Sequence, residues 1–145
     1  MLKKITSIFL ILTFMILSSQ PILAKSDIPV SPMYNNVVSV SSNATITENG
    51  VLNISYHYIG TSGVTSKAII KTYIEKRTLL GLLWTRVDIS TANNEWVDTI
   101  NNYRYSNTRS YSLSQKGTYR IVIEYTFYGN GGTNDIVNHQ KKCSY

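Results

Sequence analysis

Tyr119-Arg120-Ile121-Val122-Ile123-Glu124-Tyr125-Thr126-Phe127-Tyr128 is the stretch that decides the fold. Tyr119, Ile121, Ile123, Tyr125 and Phe127 take every second position, and Arg120, Val122, Glu124, Thr126 and Tyr128 fill the places between. A period of two sets the first group on one face of a β-strand and the second on the other. Dense Ile, Val, Tyr and Thr suit such a strand. Upstream, Gln115-Lys116-Gly117-Thr118 reads as a turn; downstream, Gly129-Asn130-Gly131-Gly132 reads as a flexible hairpin connection into a last strand over Asn134–Tyr145.

The same alternation extends towards the N-terminus. Val37–Thr47 predicts a first strand with Val38, Val40, Ala44 and Ile46 facing one way. Glu48-Asn49-Gly50 is a hairpin signal, because Asn-Gly accepts the positive φ angles of a type I′ turn. Val51–Ile59 returns with Leu52, Ile54, Tyr56 and Tyr58 on one face. After a Gly, Ser and Thr-rich loop at Gly60–Ser66, Lys67–Arg77 places Ala68, Ile70, Thr72 and Ile74 opposite Lys71, Glu75 and Arg77. Trp84–Ser90 and Glu95–Tyr105 follow as a fourth and a fifth strand, and Asn107–Ser114 is polar and partly strand. No window carries a helical apolar stripe. About seven strands with turn signals every 8 to 15 residues or so predict an all-β, antiparallel, immunoglobulin-like β-sandwich, with a closed barrel as runner-up. Leu113, a glycine turn and Tyr119 opening a long core strand resemble the tyrosine corner of such sandwiches, where the phenol reaches back to the backbone.

The first 24 residues read as a signal peptide. Lys3 and Lys4 supply a positive start, Ile5–Leu17 an apolar run, and Ala24 a small residue at the expected cleavage point. The run falls short of the roughly 20 apolar residues of a bilayer span, so the mature chain is expected to hold no transmembrane segment. Residues 25–33 form an extended leader in which Pro29 and Pro32 disfavour helix, and residues 34–145 form the sandwich domain. The expected location is extracellular. Neither a sorting motif after the domain nor a lipobox cysteine after the signal is seen, so retention at a cell surface would need a partner.

Composition narrows the partners. The chain carries a formal charge of +6, from 14 Lys and Arg against 8 Asp and Glu; losing Lys3 and Lys4 leaves about +4. These charges are scattered and form no block, which favours solubility over a nucleic-acid role; attraction to anionic wall polymers or acidic glycans stays open. Cys143 is the single cysteine, so the fold holds without an internal disulfide. Its readings are a small apolar residue in the last strand, an intermolecular disulfide, or an activated thiolate.

Enzyme motifs are missing. His57 and His139 are the two imidazoles, outside any zinc spacing, and His57 has the parity of an exposed strand residue. No serine elbow, calcium loop or phosphate loop is present. The acids are isolated, with nothing to favour one catalytic pair. The chain is therefore expected to be no enzyme, with no catalytic residue, cofactor or metal. Two features remain. Eleven tyrosines could build an aromatic sugar platform from Tyr73, Tyr103, Tyr105, Tyr111 and Tyr128 with Trp84 or Trp96, or simply serve as strand residues that pack a ring and wet a hydroxyl. Thr78-Leu79-Leu80-Gly81-Leu82-Leu83 places four leucines where a polar hairpin tip is expected, either as a plug over one end of the domain or as an exposed contact patch.

Ile74-Glu75-Lys76, Trp84 opening the next strand, and Lys116-Gly117-Thr118-Tyr119-Arg120 resemble a family of uncharacterised small secreted proteins of Gram-positive bacteria. There, a Leu-Gln-Lys strand end, a tryptophan and a Gly-Thr-Tyr-Arg segment recur in a β-sandwich. This chain departs in Ile-Glu for Leu-Gln and in its apolar connection. The resemblance implies a fold and a compartment, and no mechanism. The expected function is a secreted, non-enzymatic binding module whose partner is a glycan, a cell-wall polymer or another protein. The alternatives are a carbohydrate- or wall-polymer-binding module and a toxin-like or membrane-active factor using the 79–83 loop. The candidate interaction surface is Leu79, Leu80, Leu82, Leu83, Trp84, Tyr73, Tyr103 and Tyr105.

Overall fold

A computed structural model describes residues 34–78 and 81–145. The signal segment 1–24, the leader 25–33, and Leu79 and Leu80 lie outside the described residues. Eight strands follow in order: β1 (Val37–Ile46), β2 (Val51–Gly60), β3 (Thr65–Thr78), β4 (Leu83–Arg86), β5 (Trp96–Ile100), β6 (Arg104–Ser112), β7 (Thr118–Gly129) and β8 (Asp135–Ser144). They make two antiparallel sheets, β1-β2-β6 and β4-β3-β7-β8, with β5 beside β4 along the same edge of β3. Among the described residues no backbone ladder joins the two sheets. The fold is an immunoglobulin-like sandwich rather than a closed barrel.

Alternation explains the core. Leu52, Ile54, Tyr56 and Tyr58 of β2 meet Ala68, Ile70 and Ile74 of β3 and Tyr119, Ile121, Ile123, Tyr125 and Phe127 of β7 in one buried cluster. The Tyr58 and Phe127 rings cross the gap edge to face at 5.0 Å. The tyrosine corner is present: the Tyr119 hydroxyl donates to the Gln115 carbonyl. In the β1–β2 turn, Gly50 takes φ 76° and donates to Thr47 O at 2.9 Å, but Asn49 does not take positive φ, so the hairpin expected there is present while its turn is not type I′.

Three further expectations need correction. The single fifth strand over Glu95–Tyr105 is two strands, β5 and β6, and the chain changes sheets between them. The fourth strand stops at Arg86 instead of Ser90: after the Val87 N to Ile74 O bond the edge of β3 is taken by β5 from Thr72 back, and Ser90, Asn93 and Asn94, with positive φ, turn the chain between the two strands. Val38 faces solvent at 66% exposure while Val37 is buried, because a register shift between Val37 and Ser39 offsets the alternation by one residue.

Polar clasps close the rim. The Asp135 carboxylate accepts from three consecutive backbone N–H groups, those of Asn35 (2.9 Å), Asn36 (2.6 Å) and Val37 (3.0 Å). Asn36, wholly buried, donates to Thr133 O at 2.9 Å and accepts from Gly131 N at 3.2 Å. Along the β5–β6 seam, one Nη of Arg109 bonds both oxygens of Asp98 at 2.8 Å.

Candidate functional site

The β3–β4 hairpin is built by the register Glu75↔Arg86, Lys76↔Thr85, Arg77↔Trp84 and Thr78↔Leu83. Directly opposed residues share a face. Glu75, Arg77, Trp84 and Arg86 therefore look outward, and Lys76, Thr78, Leu83 and Thr85 share the other side. Gly81 takes φ 86°, a backbone region that disfavours a Cβ, and its carbonyl accepts from Arg77 Nε at 2.7 Å. This bond braces the tip from below. Beyond it Leu82 is 80% and Leu83 53% exposed. For these two leucines the plug reading fails: with a glycine turn and a four-residue return strand, nothing brings them back over the core.

Behind the tip lies a lattice of cations and rings. The Arg120 guanidinium sits 4.6 Å and that of Arg77 5.9 Å from the Trp84 ring. Arg86 covers Tyr73 at 3.9 Å. Glu75 bonds Arg120 at 2.5 Å, and Glu95 lies 3.4 Å from Arg86. Arg77 has no carboxylate partner among the described residues. Lys142 of β8, exposed, stands opposite Arg120. A row Arg86, Glu75, Arg120, Lys142 thus crosses four strands. Val122, on the outward side of β7 and opposite Tyr73, is 4% exposed, so the lattice shields apolar surface as well. Four cations meet two carboxylates, and the patch is net positive.

The sequence had not singled out this cluster. Arg77, Arg86, Arg120 and Lys142 are far apart along the chain and assemble only through strand register. Of the expected surface, Tyr73 and Trp84 share the outward face of the hairpin sheet, Leu83 points to the opposite side, and Leu82 stands exposed beyond the strand pairs. Tyr103 and Tyr105 do not: they belong to the other sheet's end of the chain path, where Tyr105 packs against the core and its ring lies 5.9 Å from Tyr58. The sugar platform is not assembled either. Tyr105 and Tyr111 pack inward, and Tyr128 is covered by Lys67 at 4.3 Å, remote from Tyr73.

A cavity of 280 Å³ opens on the other side of the hairpin, between Lys76, Thr78 and Thr85 and the Leu113–Gln115 segment. Its polar groups largely bond one another. Lys76 Nζ donates to Gln115 Oε1 at 2.5 Å, the Thr78 and Thr85 hydroxyls lie 3.2 Å apart, and Tyr111 donates to Asp88 O at 3.0 Å.

At the β1–β8 seam Ser42 Oγ lies 2.7 Å from His139 Nδ1, a contact invisible to local spacing. Burial pushes the imidazole pKa down, with Lys141 adding to the shift, which favours the neutral ring; the tautomer sets which of the two groups donates. Among the described residues no carboxylate bonds the ring, and the Tyr125 ring meets it edge to face at 5.7 Å. Without an orienting acid the pair has the form of a seam contact. Nearby, Cys143 Sγ donates to Ala44 O at 3.1 Å, and burial raises the thiol pKa, which disfavours a thiolate. Among the described residues no three His, Cys, Asp or Glu side chains gather into a metal-binding group, and no helix is long and apolar enough to cross a membrane.

No family model matches the chain, and no curated protein does. Among solved structures it is similar to a CARDB domain from Pyrococcus furiosus, crystallised in complex with di-metal ions. That similarity covers 81% of this chain and 97% of the other at 14% identity, with a TM-score of 0.43.

Proposed function

We propose that this chain is an exported, non-enzymatic binding module that engages its target at the cell surface or in the surrounding medium through the β3–β4 hairpin. The observation that carries this reading is the pair Leu82 and Leu83, 80% and 53% exposed at the tip of a hairpin braced by Arg77. A soluble domain gains nothing by holding two neighbouring leucines in water, and such patches mark contact sites. The signal-like start and the resemblance to small secreted sandwich proteins of Gram-positive bacteria support the compartment.

Binding of an anionic wall polymer is the second reading, favoured by the net positive lattice of Arg77, Arg86, Arg120 and Lys142. A neutral sugar is less well supported, since the tyrosines do not gather at one place: Tyr105 and Tyr111 pack on the core, and Tyr128 lies six strand positions from the partner of Tyr73. The test is retention on the envelope of the producing cells after washing. The double variant Leu82→Asp/Leu83→Asp is expected to be released, while Val97→Asp/Ile136→Asp, at two other exposed apolar positions, stays bound. Equal retention of both would remove the hairpin from the function.

A further inference from the structure

We infer that the partner of the hairpin is an anionic phospholipid surface, into which the tip inserts. This rests on the hairpin being the binding surface, and it goes further by naming what is bound. The argument is the order of chemistries along one axis. At the extremity stand Leu82 and Leu83, exposed and apolar. One residue pair further in stand Trp84 and Arg77, and two strand positions beyond Trp84 comes the row Arg86, Glu75, Arg120, Lys142. At a strand rise of about 3.3 Å per residue, that row lies roughly 7 Å behind the tryptophan.

A bilayer leaflet presents the complementary sequence. Acyl chains accept leucine, the headgroup boundary accepts the amphipathic indole, and anionic phosphates attract guanidinium and ammonium groups from just outside. An anionic polymer in water answers the cations but gives the leucines nothing. The lattice is also suited to hold its cations in place. Arg120 is fixed between Glu75 and Trp84, and Arg86 against Tyr73, so both guanidinium planes are set before contact. Arg77 has no carboxylate partner among the described residues, and Lys142 is exposed, which leaves these two cations for phosphate.

The experiment is co-sedimentation of the protein, as recovered from producing cells, with vesicles of phosphatidylcholine alone or mixed equally with phosphatidylglycerol. Binding to the mixed vesicles is expected to be at least about tenfold tighter than to phosphatidylcholine, and to weaken with salt. Leu82→Asp/Leu83→Asp should lose it, and Arg77→Gln/Lys142→Gln should weaken it about tenfold, on the basis of the attraction each surface cation gains from an anionic leaflet. Both pairs replace exposed side chains and an unchanged urea midpoint confirms that they fold; because Arg77 Nε also braces Gly81 O, Arg77→Lys, which drops that bond and keeps the charge, should bind as the wild type does. No binding to the mixed vesicles, or binding that both pairs leave intact, overturns the inference. If cell retention still depends on the leucines while vesicles are ignored, the hairpin reading survives and the partner is a protein or a wall polymer. If retention does not depend on them, the hairpin reading itself falls.

Discussion

The two rims of this sandwich treat their awkward side chains in opposite ways. At the Asn35–Val37 rim, charged and polar groups are buried and satisfied within the chain: one carboxylate takes three backbone N–H groups, and Asn36 bonds the β7–β8 connection in both directions. At the β3–β4 rim, apolar groups are exposed and cations outnumber the carboxylates beside them. A polar group saturated by its own chain is accounted for by folding. An exposed leucine beside surplus positive charge is not, and on that difference rests the proposed division into a structural rim and a binding rim.

The contrast breaks most readily at Asp135. Asp135→Ala leaves the two buried backbone donors of Asn36 and Val37 and the part-buried one of Asn35 without their acceptor, and each buried unsatisfied donor costs about 1–3 kcal/mol, so a loss of about 4 kcal/mol is expected. Urea unfolding measures it. Asp135→Asn keeps one acceptor oxygen and should recover about half by the same reasoning. A loss below about 1 kcal/mol for the alanine variant would mean that water replaces the clasp, and the rim would have no special role. By comparison, Leu82→Asp/Leu83→Asp should move the midpoint by no more than about 0.5 kcal/mol, as surface changes do.

Tyr119→Phe sharpens the comparison with a smaller effect. Tyr119 is buried in the wall of the cavity beneath the hairpin, and its hydroxyl donates to Gln115 O. Removing that oxygen deletes one hydrogen bond and leaves the ring packed, so about 1 kcal/mol should be lost. Vesicle and cell binding should stay unchanged. If binding changed with stability, the corner would be positioning the hairpin, and the division between a structural and a recognition rim would blur.

Much of this was legible because the relevant signals are local. The alternation of Tyr119–Tyr128, the hairpin at Asn49-Gly50 and the corner tyrosine each depend on neighbours within a few residues, and each is present, the hairpin with another turn type than the type I′ expected. The leucine tip was legible too, as composition in the wrong place. What could not be read is what depends on register between distant strands. The row Arg86, Glu75, Arg120, Lys142 exists because β4, β3, β7 and β8 lie side by side in one alignment. In the sequence the same residues are scattered charges. Asp135 holding Asn35 and Asn36 spans about a hundred positions, and Ser42 meeting His139 is of the same kind. The splitting of Glu95–Tyr105 failed for another reason: Asn101 and Asn102 permit a turn as readily as an irregular strand, and only the change of sheet decides between them.

His139 offers the smallest and most specific perturbation, at a seam between the two rims. Its partly buried ring faces Ser42 and Tyr125, with Lys141 the nearby charge. Burial disfavours the imidazolium, so the folded-state pKa lies below the unfolded value of about 6.5. Between those two values the unfolded chain binds more protons than the folded one, and stability rises with pH. The contribution is complete above about pH 6.5 and is lost as the pH falls towards the folded pKa. The hydroxyl of Ser42 can rotate from donor to acceptor when Nδ1 gains a proton, which limits the loss to a Tm change on the order of 3 °C. His139→Gln should flatten this part of the profile and leave the acid loss from carboxylates in place. A wild-type Tm that does not fall across that window would show that the charged ring is accommodated as well as the neutral one. The β1–β8 seam would then be as open to water as the hairpin, and the saturated region would shrink to the Asp135 clasp.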